Sequence, residues 1–459
     1  LSGTNSIVGN YLIVSPYSSL SIMTCFKMLN LPIVQSAPFI ILICACLYSS
    51  YAYGYPSLND NNISVEQYAT GLNHPTTMAF LGDDDILVLE KDNGTIVRIK
   101  DGEHFPIFDV EVANDKELGM LGIDAVKRFS NATVGVYDIF LRYTEYYDQK
   151  SGNGSSDITT KSYGSINNQL YKYTLIDDLI RGPGHETITG KKILLNLPIN
   201  EFSHRHVGGV VAVNPNSKDQ IYTVVGDLDS PNRTKAQNAQ SGSEADGSAG
   251  ILGVTTDGGV IKNYSEGADN ARLIDKYYAY GIRNSFGLTF DPVTGSMWDT
   301  ENGPNSNDEL NLVDPGFNSG WQKIMGMAPI GFNATEELVA YDGKGRYSDP
   351  EFVWKHVVAP TALTFLTSDK LGSKYQNDLF VSSSVNGKIY HFELNPTRNE
   401  LLLYGALSDK VADSENETLS NVFGENFNAI TDLKVGPDGY LYVVSISDGT
   451  IYRIVNKHY

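Results

Sequence analysis

The chain has almost no cysteine: Cys25, Cys44 and Cys46 are the only three in 459 residues, and all precede residue 50. Beyond that point no disulfide, thiolate metal site, iron–sulfur cluster or cysteine nucleophile can be built. Positive charge is scarce as well. The 34 Lys and Arg stand against 54 Asp and Glu, a formal net charge of −20. A surface of that sign repels phosphate, which argues against nucleic acid or an anionic membrane as a partner. The apolar run over residues 37–47 is short for a bilayer span. No Walker-type or dinucleotide glycine loop is present, so neither nucleoside triphosphate nor nicotinamide chemistry is indicated.

What the chain does have is turn and strand material. Its 43 Gly and 28 Tyr favour short strands and tight turns over long helices, and a 41% hydrophobic content is ample for a core. The N-terminal 54 residues read as a targeting segment: the apolar run ends in small residues, with Ala52-Tyr53-Gly54 as a cleavage site. Met23 and Met28 are both candidate starts, which would leave the preceding residues upstream. Eight Asn-x-Ser/Thr sequons follow, at Asn62, Asn93, Asn131, Asn153, Asn232, Asn263, Asn333 and Asn416. Together these predict a secreted or cell-surface glycoprotein, with membrane attachment only through an uncleaved N-terminal anchor.

From residue 60 the pattern repeats. Met78–Phe80, Ile86–Leu89 and the heptad NGTIVRI from Asn93 are separated by turns. Near the C-terminus residues 432–435, 441–444 and the heptad DGTIYRI from Asp448 follow the same scheme. Further copies lie at residues 379–390, 209–227 and 286–299. Recurring short strands with turn signals imply sandwiches or radial blades. The matching first and last units favour a closed ring in which the terminal strands share one blade and leave no edge. The expectation is an all-β, six-bladed β-propeller over residues 60–459. Polar inserts at residues 146–168 and 230–250 are expected over one face.

Residues 280–321 concentrate the candidate chemistry. An Arg283-Asn284 pair precedes a strand, and a Gly303-Pro304 turn with outward carbonyls precedes the acids Asp308 and Glu309. A fixed cation, backbone oxygens and carboxylates suit a small anionic ligand bridged by a hard metal ion.

At this point the sequence resembles a known family. YGIRNSFGL followed by ENGPNSNDELNL resembles the soluble glucose/sorbosone dehydrogenases, sugar dehydrogenases that depend on pyrroloquinoline quinone (PQQ) and are built on a six-bladed propeller. Leu72-Asn73-His74-Pro75, Glu117–Gly122, His206-Val207-Gly208-Gly209, Val225-Gly226-Asp227 and Ala359-Pro360-Thr361 agree in order, so the resemblance runs over about residues 70–455. It implies an exported quinoprotein oxidising the anomeric carbon of an aldose and passing electrons to an external acceptor. His206 would be the general base, since histidine side chains as a class take up protons near neutral pH, and Asp227 would fix its tautomer. Arg283 and Asn284 would hold the quinone, and Glu117 would meet a substrate hydroxyl. The carbonyls of Gly303 and Pro304 would carry Ca²⁺, with Asp308 and Glu309 at a further calcium site. His204, two residues before His206, is expected to be a bystander.

The chain also departs from that pattern. Relatives place a Lys in a late blade and Arg residues at the entry to the last one. Here Val385 and the Arg-free run 428–432 stand in those places, and Lys388, Lys355 or Arg346 would have to supply the missing charge. PQQ carries three carboxylates, and leaving them uncompensated in a partly buried site is unfavourable. A calcium-binding propeller without catalysis, and a calcium-dependent hydrolase, are therefore the competing readings.

Overall fold

Alternation of apolar and polar residues between tight turns produces antiparallel hairpins along the chain. The structure, a computed structural model, describes residues 54–147, 165–230, 233–261 and 273–457. The segment up to residue 53, read above as a targeting segment, the three cysteines and the sequons at Asn153, Asn232 and Asn263 lie outside them. The other five sequon asparagines are all exposed.

The hairpin read at the start of the repeat is Pro75–Gly82, Asp85–Glu90 and Thr95–Lys100, and Glu103–Asp109 completes its sheet. Its C-terminal counterpart is Ile430–Val435, Leu441–Ser445 and Thr450–Asn456. The shared heptad marks equivalent turns. Gly94 and Gly449 both have positive φ (72° and 59°), and a Cβ on either would lie within 2.3 Å of a carbonyl oxygen, of Val110 or Leu72. Only glycine fits there.

The described strands form six sheets. Each begins with an inner strand: Pro75–Gly82, Met120–Ser130, Val211–Val213, Gly287–Phe290, Pro360–Phe365 and Ile430–Val435. These inner strands contact one another in cyclic order, the last returning to the first. The molecule is an all-β propeller. Its ring is closed by the termini: Ile63–Ala69 pairs antiparallel with Thr450–Asn456, Val65 lying opposite Ile454. The N-terminal strand thus covers what would be an open sheet edge.

Fully buried side chains, Trp298, Trp354, Tyr222 and Phe380 among them, fill the spaces between neighbouring sheets. The polar insert at residues 146–168 is not wholly loop. Its flanks extend the hairpin of Val134–Tyr147 and Ser165–Asp178, Tyr146 pairing with Ile166. The only α-helix among the described residues is Ala334–Glu337. None of their helices is long and apolar enough to cross a membrane.

Candidate active site

Three chain segments at the ends of inner and second strands meet in one place. His206 lies just before Val211–Val213, Asp227 just after Gln220–Val225, and Arg283 between Tyr277–Tyr280 and Gly287–Phe290. Gly226 allows the meeting. A Cβ on it would come 2.5 Å from the Arg283 carbonyl and 2.6 Å from that of His206. With that space free, the Asp227 N–H donates to the Arg283 carbonyl at 2.8 Å.

His206 is buried, and its Nδ1 lies 2.5 Å from Asp227 Oδ1. Its Nε2 lies 3.2 Å from Arg283 Nη2. A guanidinium can only donate, so Nε2 is the acceptor and the proton sits on Nδ1. Asp227 also accepts from the Asp229 N–H at 2.8 Å and from the Trp321 indole N–H at 2.8 Å. Burial alone would raise its pKa, but the hydrogen bonds from His206, Asp229 and Trp321 outweigh it and hold the carboxyl below its ordinary value.

Arg283 is positioned by backbone. Its Nη1 donates to the carbonyls of Asn302 (2.7 Å) and Gly303 (3.1 Å), and its guanidinium lies 5.5 Å from the Trp321 ring centre. Among the described residues it forms no ion pair. Its own N–H donates to Glu301 Oε1 at 2.6 Å. Asn284 is buried, and its Oδ1 has no hydrogen-bond partner among the described residues, as is true of Asn302 Oδ1.

Glu117 reaches the same turn from the preceding sheet. Its Oε2 accepts the Val207 N–H at 3.2 Å, and burial raises its pKa against the pull of His206. His204 is held apart from this set: its Nδ1 pairs with Asp115 Oδ2 at 2.9 Å.

Asp308 and Glu309 are not brought together. Adjacent residues of a strand point to opposite faces. Asp308 Oδ1 accepts the Gly303 N–H (2.8 Å), and Oδ2 accepts those of Val358 (2.8 Å) and Ala359 (2.9 Å). Its carboxylate is thus spent on bracing the Gly303-Pro304 turn. Glu309 faces a buried ladder in which it lies opposite Glu301, with Asp299 opposite Asn311. Burial, then mutual repulsion, pushes Glu301 well above the carboxylate range, and burial pushes Asp299 up to about 7. Among the described residues no three His, Cys, Asp or Glu side chains converge as metal ligands.

Sequence reasoning missed Trp321, Glu301 and Arg142. Arg142 is fully buried and donates to the carbonyls of Val207 and Val224, both at 2.6 Å, and to Thr223 Oγ1 at 2.8 Å. The i, i+2 spacing of Asp299 with Glu301 was a legible sign of a shared strand face. Nothing local marked the other two.

The glucose/sorbosone dehydrogenase family model matches residues 72–453. The chain belongs to that family. It is 25% identical over 429 residues to the aldose sugar dehydrogenase YliI of Escherichia coli, covering 92% of this chain and 98% of that one. Among solved structures, an oxidoreductase (glucose dehydrogenase) of Thermus thermophilus has a TM-score of 0.61 at 21% identity, covering 86% of this chain and all of that one. The PQQ-bound aldose sugar dehydrogenase of Streptomyces coelicolor has a TM-score of 0.56 at 20% identity, covering 87% and 99%. At these identities the structural likeness speaks for the fold.

Val385 and the run 428–432, where the resemblance led us to expect cations, carry none. Val385 is 63% exposed. Its turn is tied to the site, since the Val385 and Ser384 N–H groups donate to the carbonyls of Val358 and Ala359, the residues braced by Asp308. Lys388 is paired with Glu415 and Lys355 with Asp413, while Arg346 lies exposed in the strand Arg346–Tyr347.

Proposed function

We propose that this protein is an exported quinoprotein dehydrogenase that oxidises the anomeric carbon of an aldose, with His206 as general base. The observation that carries the reading is the Asp227–His206–Arg283 relay. It leaves the His206 Nε2 lone pair facing a guanidinium and no carboxylate. A sugar hydroxyl entering there gives its proton to Nε2, while Asp227 stabilises the imidazolium through Nδ1. Arg283, which donates to the Asn302 and Gly303 carbonyls and to His206 Nε2, would stabilise negative charge developing on an acceptor oxygen.

The residues fit the quinone end of PQQ through Arg283, the donor its oxygens require, while the unpartnered Asn284 Oδ1 and the carbonyls of Asn302 and Gly303 are acceptors that would serve a cation beside it. When bound, PQQ would accept the hydride, and an external acceptor would then take the electrons. The Gly303 carbonyl, with that of Pro304, suits a hard cation such as Ca²⁺. We read the six sheets as the blades of the family's propeller. Five exposed sequons, downstream of a targeting segment, support a secreted or cell-surface location.

A second reading rests on Val385. A propeller whose late turns are neutral would keep the scaffold and a calcium turn but bind the tricarboxylate weakly. Reconstitution with PQQ and Ca²⁺, followed by dye-linked aldose oxidation, separates the two. Turnover supports the dehydrogenase. Absence of PQQ binding at micromolar concentration leaves the non-catalytic propeller.

A further inference from the structure

Trp321 touches two of the groups that flank His206, and nothing in the relay requires a tryptophan by its chemistry. Its indole N–H donates to Asp227 Oδ2 at 2.8 Å, while its ring centre lies 5.5 Å from the Arg283 guanidinium carbon. Asp227 therefore divides its oxygens, with Oδ1 serving His206 and the Asp229 N–H and Oδ2 serving Trp321.

Trp321 is itself fixed by backbone. Its N–H donates to the Gly281 carbonyl at 3.0 Å, and its carbonyl accepts from Asn238 Nδ2 at 2.8 Å. Asn238 is fully buried and exchanges two amide hydrogen bonds of 2.8 Å with Asn318. Asn238, from the polar insert, thus anchors the backbone that carries the indole.

We propose that Trp321 is a positioning residue for the His206 base, holding Asp227 through its indole N–H and Arg283 against its ring face. The inference rests on the dehydrogenase reading above, but its first readout does not need turnover. The charged and titratable groups facing Asp227 are His206 and Arg283, with Asp229 two residues on. Glu117 reaches only the backbone of the His206-Val207 turn.

Trp321→Phe keeps an aromatic face for Arg283 and removes only the donor. In the full chain, with aspartate carboxyl carbons labelled and Asp227→Asn used for assignment, the Asp227 titration midpoint should rise by about one pH unit, the value of one hydrogen bond to a buried carboxylate. In the reconstituted enzyme kcat should fall roughly tenfold, with KM for the sugar little changed, because the base acts in the transition state. A folded Trp321→Phe protein whose Asp227 midpoint does not move overturns the proposal, even if kcat falls. Should the variant not fold, the wild-type protein decides: the Trp321 indole N–H resonance must follow the Asp227 titration, and a resonance indifferent to it overturns the proposal. If the wild type shows no turnover, the dehydrogenase reading fails while the carboxyl titration still tests the contact.

Discussion

Arg142 donates to the carbonyl oxygen of Val207 at 2.6 Å, one residue beyond His206. The same guanidinium holds the Val224 carbonyl, so one buried cation ties the segment bearing His206 to the strand leading into Asp227. Among the described residues it forms no ion pair. Its stabilisation comes from backbone and side-chain oxygens that no water can reach.

Replacing Arg142 with Lys leaves at least one of those acceptors without a partner, because an ammonium cannot span the same fork. We expect a loss of about 2–3 kcal/mol, the penalty for stranded buried polar groups, measured by urea unfolding. Unchanged stability would mean that water enters to satisfy the carbonyls.

His206→Ala should lower aldose oxidation by about 10²- to 10⁴-fold, the usual contribution of a positioned base. His204→Ala should retain most of it, since its ring nitrogen is engaged by Asp115. Steady-state assays of the two purified variants, normalised to bound PQQ, make the comparison. Equal losses would remove His206 from the role.

Val385→Lys should tighten PQQ binding by about two- to fivefold, the scale of one exposed ion pair, with the gain shrinking at high salt. Fluorescence titration of the apoprotein reads it. An affinity unaltered by the lysine would show that the carboxylates of the cofactor do not approach this turn.

Asp299 gives a pH signature in stability. Its folded-state pKa is about 7, against about 3.9 in an unfolded chain. Between those values the folded protein binds a proton that the unfolded chain does not. This contribution is therefore fully present below about pH 4 and is lost as pH rises through about 7. Thermal melts from pH 5 to 8 should fall more steeply for the wild type than for Asp299→Asn. Parallel curves would contradict the assigned burial.

The propeller was readable from local chemistry, because strands and turns repeat with short-range signals. The heptads beginning at Asn93 and Asp448 appear on equivalent strands, and each turn glycine is demanded by an approaching carbonyl, that of Val110 or of Leu72. His206, Asp227, Arg283 and the Gly303 turn could likewise be named from motif order. The pairing of Asp308 with Glu309 could not be judged, since sequence adjacency places them on opposite strand faces. One carboxylate braces a turn and the other joins a buried ladder.

By itself the amino-acid sequence determined where the strands, turns and candidate catalytic groups lie, because those features depend on residue types a few positions apart. Only the tertiary structure decided how the groups are held. Trp321 reaches Asp227 across 94 positions, and Arg142 reaches Val207 across 65. Closing a ring of sheets brings such distant donors and acceptors together where water is excluded, and there each must find a partner in the protein.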